Sequence, residues 1–109
     1  MSDWVYIAGE GGFNQDFIIL DQQTNEPVDL TGATATMFIK STDLLTSFPI
    51  GGTTMTITDN ASGIQVARLV VQNTFMPQDA NIYLAQIEIQ TVSLLKTFIL
   101  NLRVIRSLA

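Results

Sequence analysis

The side chains that most often carry enzyme chemistry are missing from this sequence. It has no histidine and no cysteine, so it lacks the commonest general base, the commonest transition-metal ligand and the thiol nucleophile. The densest carboxylate group is Asp16, Asp21, Glu26 and Asp29. Two carboxylates can hydrolyse a glycosidic bond, but we expect these four at a strand end and in a turn, where acidic residues are ordinarily solvated. The sequence therefore predicts no catalytic residues and no enzyme.

The same stretch is the best candidate for a cation site. Asp21, Asn25, Glu26 and Asp29 could offer oxygen ligands to a hard cation, and Asp59-Asn60 forms another such turn. Their spacing does not match the alternating acids and central glycine of a calcium-binding loop. We expect these side chains to cap their own turn backbone. The sequence therefore predicts no metal ion and no cofactor.

In the periodic stretches of the chain, apolar residues recur at every second position, which is typical of strands buried on one face. In the clearest of them, Tyr83, Ala85, Ile87 and Ile89 alternate with more polar residues. The predicted strands are Trp4 to Ala8, Asp16 to Leu20, Ala33 to Lys40, Thr53 to Thr58, Ile64 to Val71, Tyr83 to Gln90 and Thr97 to Val104.

Turn-forming clusters separate these segments, and no segment of helix length shows helical spacing of its apolar residues. The clusters are Gly9 to Gly12, Asp21 to Pro27, Gly51-Gly52, Asp59 to Gly63 and Pro77 to Asn81. This pattern predicts an all-β fold, an immunoglobulin-like two-sheet antiparallel β-sandwich of about seven strands. An up-and-down or partly open barrel is the alternative. With no repeat and no linker, we expect residues 1–109 to form a single domain.

The composition points to protein partners. The chain is 47% hydrophobic and only 14% charged, so we expect a partner to cover some of its apolar surface. Its net charge of -5 disfavours nucleic acid. We find no apolar run long enough for a membrane helix and no secretory signal, and we expect a soluble product that is made and kept in the cytoplasm.

Two segments are candidate contact surfaces. The apolar stretch Leu44 to Ile50 lies where a polar loop would be expected, so it either covers an open end of the fold or forms an exposed patch. The N-terminal strand Trp4 to Ala8 could pair with the sheet edge of a neighbour. The candidate interface residues are Trp4, Tyr6, Leu44, Leu45, Phe48 and Ile50.

The aromatic residues have two possible roles. Trp4, Tyr6, Phe13 and Phe48 could form a platform for sugar rings, which makes a carbohydrate- or cell-surface-binding module the alternative function. Aromatic residues in a small β domain more often belong to the core. Tyr83 opens a strand where sandwich proteins often place a corner tyrosine, whose hydroxyl bonds back to the preceding loop. We expect Tyr83 to be structural.

The order of elements resembles that of a known family. The matching strings are Phe17 to Asp21, Pro27 to Thr34, Met37 to Lys40, Asp59 to Gly63 and Ile82 to Ile89. They look like the immunoglobulin-like N-terminal domain of phage baseplate upper proteins, which occur in siphophage tail tips and related virion or prophage proteins. The resemblance covers nearly the whole chain, and its most specific part is Pro27 to Gly32.

The resemblance implies a scaffold that packs into multi-subunit assemblies. The expected function is a non-catalytic structural module of a phage tail, baseplate or related virion particle. Its expected partners are further copies of itself, other virion proteins, or both, and its expected location is the virion. Assembly would then use sheet edges and end loops.

Overall fold

A computed structural model of the chain describes residues 3–21, 23–43, 47–92 and 95–106. Within these ranges it contains seven β-strands and no helix, so the all-β prediction is confirmed. None of the described segments could cross a membrane as an apolar helix. The strands are β1 (Asp3–Ile7), β2 (Phe13–Phe17), β3 (Thr34–Ser41), β4 (Ser47–Asp59), β5 (Gln65–Val71), β6 (Asn81–Gln90) and β7 (Leu95–Ile105).

The seven strands form one curled sheet in the order β1-β7-β6-β3-β4-β5-β2. The sheet is mixed: β1 runs parallel to β7, and every other neighbouring pair is antiparallel. The prediction of a purely antiparallel arrangement was therefore wrong for the first strand. The curl brings the two edge strands, β1 and β2, close together. The rings of Trp4 on β1 and Phe17 on β2 meet edge to face, with their centroids 5.3 Å apart.

Strand β4 links the two halves of the curled sheet. It pairs with β3 up to Met55 and with β5 from Thr56 onwards. The predicted turn at Gly51-Gly52 was wrong, because the strand continues through both glycines. The pairing with β3 shifts register there, and Gly52 has a φ of +86°, a conformation that glycine adopts without steric cost.

One core fills the inside of the curl. All four apolar residues that the sequence pattern placed on one face of β6 are buried: Tyr83, Ala85, Ile87 and Ile89. On β7, Leu102 and Val104 are buried, and Phe98 and Leu100 pack against the core from the same face. The period-two pattern therefore correctly identified the inner face of the two longest regular strands.

Two tyrosine hydroxyls fasten the loops to this core. The hydroxyl of Tyr83 donates a hydrogen bond to the carbonyl of Asp79 at 3.0 Å, so the predicted bond to the preceding loop is confirmed. The hydroxyl of Tyr6 donates to the carbonyl of Glu10 in the loop between β1 and β2. Gln78, in the loop between β5 and β6, accepts a hydrogen bond from the Gly9 amide at 2.6 Å and so joins the two loops.

Candidate protein–protein interface

Three of the four carboxylates that could have served catalysis, Asp16, Asp21 and Asp29, are engaged in local structure. On neighbouring strands β2 and β5, Asp16 accepts two hydrogen bonds from the guanidinium of Arg68, at 2.7 and 3.0 Å. The hydrogen bond from Arg68 lowers the pKa of Asp16; partial burial opposes this shift, and the positive charge of Arg68 adds a smaller lowering. Both side chains are about one-third exposed, so solvent screens the pair.

Replacing Asp16 with asparagine should produce a pH-dependent loss of stability. Because the pKa of Asp16 is lowered by folding, its contribution is present above its ordinary pKa of about 4 and disappears as the pH falls through the folded value. We expect a lower urea midpoint for Asp16→Asn than for the parent chain at pH 7, and a smaller difference at pH 2. A midpoint difference of equal size at both pH values would contradict this assignment.

The other acidic turns hold their own backbone, as predicted. Asp21 accepts hydrogen bonds from the amides of Gln23 and Thr24, and Asp29 accepts from the amide and hydroxyl of Thr31. These hydrogen bonds lower the pKa of both carboxyls. In the described ranges, no three acidic side chains come together as a metal-binding group. The oxygens of Asp21 and Asp29 are therefore used to shape turns.

The structure places the predicted interface residues in three different situations. Trp4 and Tyr6 lie on β1, but their side chains are buried in the core of this chain, and the residues that face outwards are Val5 and Ile7. Phe48 and Ile50 lie within β4, and the positions of their side chains are not described. Leu44 and Leu45 fall outside the described residues.

Several large apolar side chains are exposed together on the side of strands β1, β7, β6 and β3 that faces away from the core, which we call the outer face. Val5, Ile82 and Ile99 are each about half exposed there. The register of the strands sets them in one continuous surface. By register, the outer face consists of Asp3, Val5, Ile7, Thr36, Phe38, Lys40, Ile82, Leu84, Gln86, Glu88, Thr97, Ile99, Asn101, Arg103 and Ile105.

The charges of the outer face lie at a few register positions. These are Asp3, Lys40, Glu88 and Arg103. Glu88 lies near one end of β6, and Arg103 lies beside Ile82 at the other end. Large apolar side chains that are exposed together often mark a contact surface. The outer face is therefore the best candidate in the structure for a protein-binding surface.

The sequence contained a signal for this surface that the choice of Trp4 and Tyr6 missed. In a strand with one buried and one solvated face, alternate residues should be polar. In β1, Val5 and Ile7 are apolar although they alternate with the buried Trp4 and Tyr6, and in β7 Ile99 interrupts a polar face in the same way. Apolar residues at outward positions therefore marked the surface.

Two shallow features flank the outer face. An open groove of about 890 Å³ runs between the segment that follows β2 and the first half of β7, and the exposed side chains of Ile18 and Leu20 line one wall. A smaller hollow of about 500 Å³ lies where β6 begins and β7 ends, beside Ile82 and Arg103. Both features are open to solvent. The groove adds apolar surface, whereas Asn81, Arg103 and Arg106 give the hollow a polar lining.

The aromatic side chains do not form an exposed platform within the described residues. Trp4 and Tyr6 are buried, and Phe13 is 36% exposed on the edge strand β2. The side chain of Phe48, the fourth member of the predicted sugar platform, is not described. The three that can be located therefore do not present their ring faces together.

The comparisons with known proteins assign no relationship. The sequence matches no protein-family model, and no curated protein has a similar sequence. The resemblance to baseplate upper proteins therefore stays a prediction, and the case for a function depends on the outer face.

Proposed function

We propose that this chain is a non-catalytic structural module of a phage tail, baseplate or related virion particle, and that it acts through protein–protein contacts. The observation that carries the proposal is the outer face, where Val5, Ile82 and Ile99 expose apolar surface on regular strands. Burying such side chains contributes about 25 cal/mol for each Å² removed from water, so a partner that covers the face gains affinity. The virion setting is supported by the resemblance of Pro27 to Gly32 and the strings around it.

We also propose that the curled sheet is an immunoglobulin-like sandwich, as the family resemblance implies. In support, β3, β6 and β7 are neighbours, and so are β2, β5 and the second part of β4. The corresponding strands form the two sheets of an immunoglobulin domain. Strand β1 differs from a constant-type domain, because it pairs with β7 and not with β2.

Incorporation into particles tests the proposed function. The particles produced by the phage or prophage that encodes the chain would be separated on a density gradient, and each fraction assayed for the chain by quantitative mass spectrometry. We expect the chain to migrate with the particles at a fixed ratio to the major tail protein. A chain found only in the particle-free fractions would contradict the proposal.

A matched pair of variants links incorporation to the outer face. Ile99→Lys places a charge on the outer face, and Val70→Lys places one at a similarly exposed apolar position on β5, outside that face. Both variants should fold, because each side chain is already about half exposed. We expect Ile99→Lys to be lost from the particles and Val70→Lys to be retained. If Ile99→Lys and Val70→Lys entered the particles to the same extent, the outer face would not be the surface that the particle binds.

A further inference from the structure

We propose that the partner of the outer face is a second copy of this chain, packed face to face across a two-fold axis that lies between the two sheets and perpendicular to their strands. The inference rests on the proposed function and names the partner for the same surface. The arrangement follows from where the charges of the outer face lie.

The outer face carries opposite charges at opposite ends. In the register of β6 and β7, Ile82 pairs with Arg103 and Glu88 pairs with Thr97. Residues 82 and 88 are six positions apart on one strand, about 20 Å at 3.3 Å per residue. Within the described ranges neither Arg103 nor Glu88 forms an ion pair with another residue of its own chain. Each end of the face is therefore free to meet the opposite charge on a partner.

With a two-fold axis perpendicular to the strands, the positive end of the outer face of one copy lies opposite the negative end of the other. The operation runs the strands of one copy antiparallel to those of the other, so the Ile82–Arg103 end of each copy lies over the Glu88–Thr97 end of the partner. Arg103 and Glu88 then meet twice in each dimer. An axis along the strands would instead superpose like ends and bring the two copies of Arg103 together, which costs free energy.

The middle of the face suits a contact that excludes water. Between these two ends lie Leu84 paired with Asn101 and Gln86 paired with Ile99, and the axis passes between these two pairs. The row of Leu84 and Asn101 continues to Lys40 on β3 and to Asp3 on β1, at the two sides of the face. The apolar side chains gain from burial, and the amide of Gln86 can hydrogen-bond to the facing copy. The face measures only about 20 Å by 20 Å, smaller than a standard interface, so we expect a dimer with a dissociation constant in the micromolar range or weaker.

The test is the solution mass of the chain by light scattering, in a dilution series from about millimolar to micromolar at low salt. We expect the mass to rise with concentration from 12.0 kDa towards twice that value. Arg103→Glu and Glu88→Lys should each raise the dissociation constant at least about tenfold, because each sets like charges together at two places. The double variant should restore it to within about threefold of the parent chain, since it only exchanges the two charges.

Control variants separate this arrangement from general charge effects. Lys96→Glu makes the same change of charge as Arg103→Glu on the same strand, but at an exposed position outside the outer face, and it should leave the dissociation constant unchanged. Ile99→Lys should abolish the dimer, whereas Val70→Lys should not. A trimer, a dimer that either single reversal leaves intact, or a double variant that stays monomeric would overturn the two-fold arrangement.

The two proposals fail in different ways. A chain that stays monomeric at every concentration overturns the dimer, and if it still enters particles through the outer face, the proposed function stands with a different virion protein as partner. A chain that dimerises as expected but never enters particles overturns the virion role and leaves the dimer in place.

Discussion

Replacing Leu102 with alanine should lower the free energy of unfolding by about 2–5 kcal/mol, a large share of the 5–15 kcal/mol typical of a domain. Leu102 is fully buried on β7, the strand next to the edge strand β1, and its register partners are Trp4 on β1 and Tyr83 on β6. Truncation leaves a cavity between these two aromatic residues that the surrounding strands can only partly fill. Urea or guanidinium unfolding at neutral pH measures the loss.

The same strand provides a control for the Leu102 variant. Ile99→Ala removes a comparable amount of hydrocarbon three residues earlier, from a side chain that is about half exposed on the outer face. We expect it to cost no more than about 1 kcal/mol, because little cavity is created in the isolated chain. Similar losses for the two variants would mean that the inner and outer faces of β7 have been assigned the wrong way round.

Replacing Gly52 with alanine should cost about 2–4 kcal/mol, from two separate causes. At a φ of +86°, a side chain strains the backbone by about 1 kcal/mol. In addition, the new Cβ would lie 2.7 Å from Cε1 of Phe38 and 2.8 Å from Cγ2 of Thr36, so these side chains must move. Denaturant unfolding measures the total cost.

Two further variants separate the causes at Gly52. Gly63 has a similar φ of +77° but open space around it, so Gly63→Ala should cost only the backbone strain, about 1 kcal/mol. Combining Gly52→Ala with Phe38→Ala removes the ring that the methyl group would strike, and we expect the two changes to be coupled by about 1 kcal/mol or more. Strictly additive costs would show that Phe38 does not restrict position 52.

Period-two patterns predicted the regular strands well, because burial on one face imposes alternation directly on the sequence. Strands β3, β5, β6 and β7 begin and end within a few residues of their predicted bounds. The corner hydrogen bond of Tyr83 was also predictable, since it depends on local geometry at the start of one strand. Interactions within one strand, or between a strand and its adjacent turn, could therefore be predicted from the sequence.

The predictions failed where a distant part of the chain decides the local structure. Strand β2 lies at residues 13–17, earlier than predicted, because its position is set by pairing with β5; the apolar Ile18 follows it and is exposed. The glycines at 51 and 52 suggested a turn, but pairing with β3 on one side and β5 on the other keeps β4 continuous. No local pattern reports which strand will be a neighbour.

The candidate interface was only half predictable for a related reason. An apolar N-terminal strand was a sound candidate for a contact surface, but the choice between Trp4 and Val5 depends on which side of β1 faces the core. That side is fixed by the parallel pairing with β7, almost the whole chain away. The large aromatic side chains went inwards, where they bury most area, and the smaller aliphatic ones were left outside.

The parallel pairing of β1 with β7 also determines how the domain would respond to mechanical force. A pull applied to the N-terminal end of β1 and the C-terminal end of β7 acts along both strands in opposite directions. All the hydrogen bonds between Asp3–Ile7 and their partners at residues 101–105 are then loaded in shear at once. In an antiparallel pair with both free ends on one side, the hydrogen bonds would break one after another. A module that transmits tension through its ends would therefore resist extension at the pairing of β1 with β7.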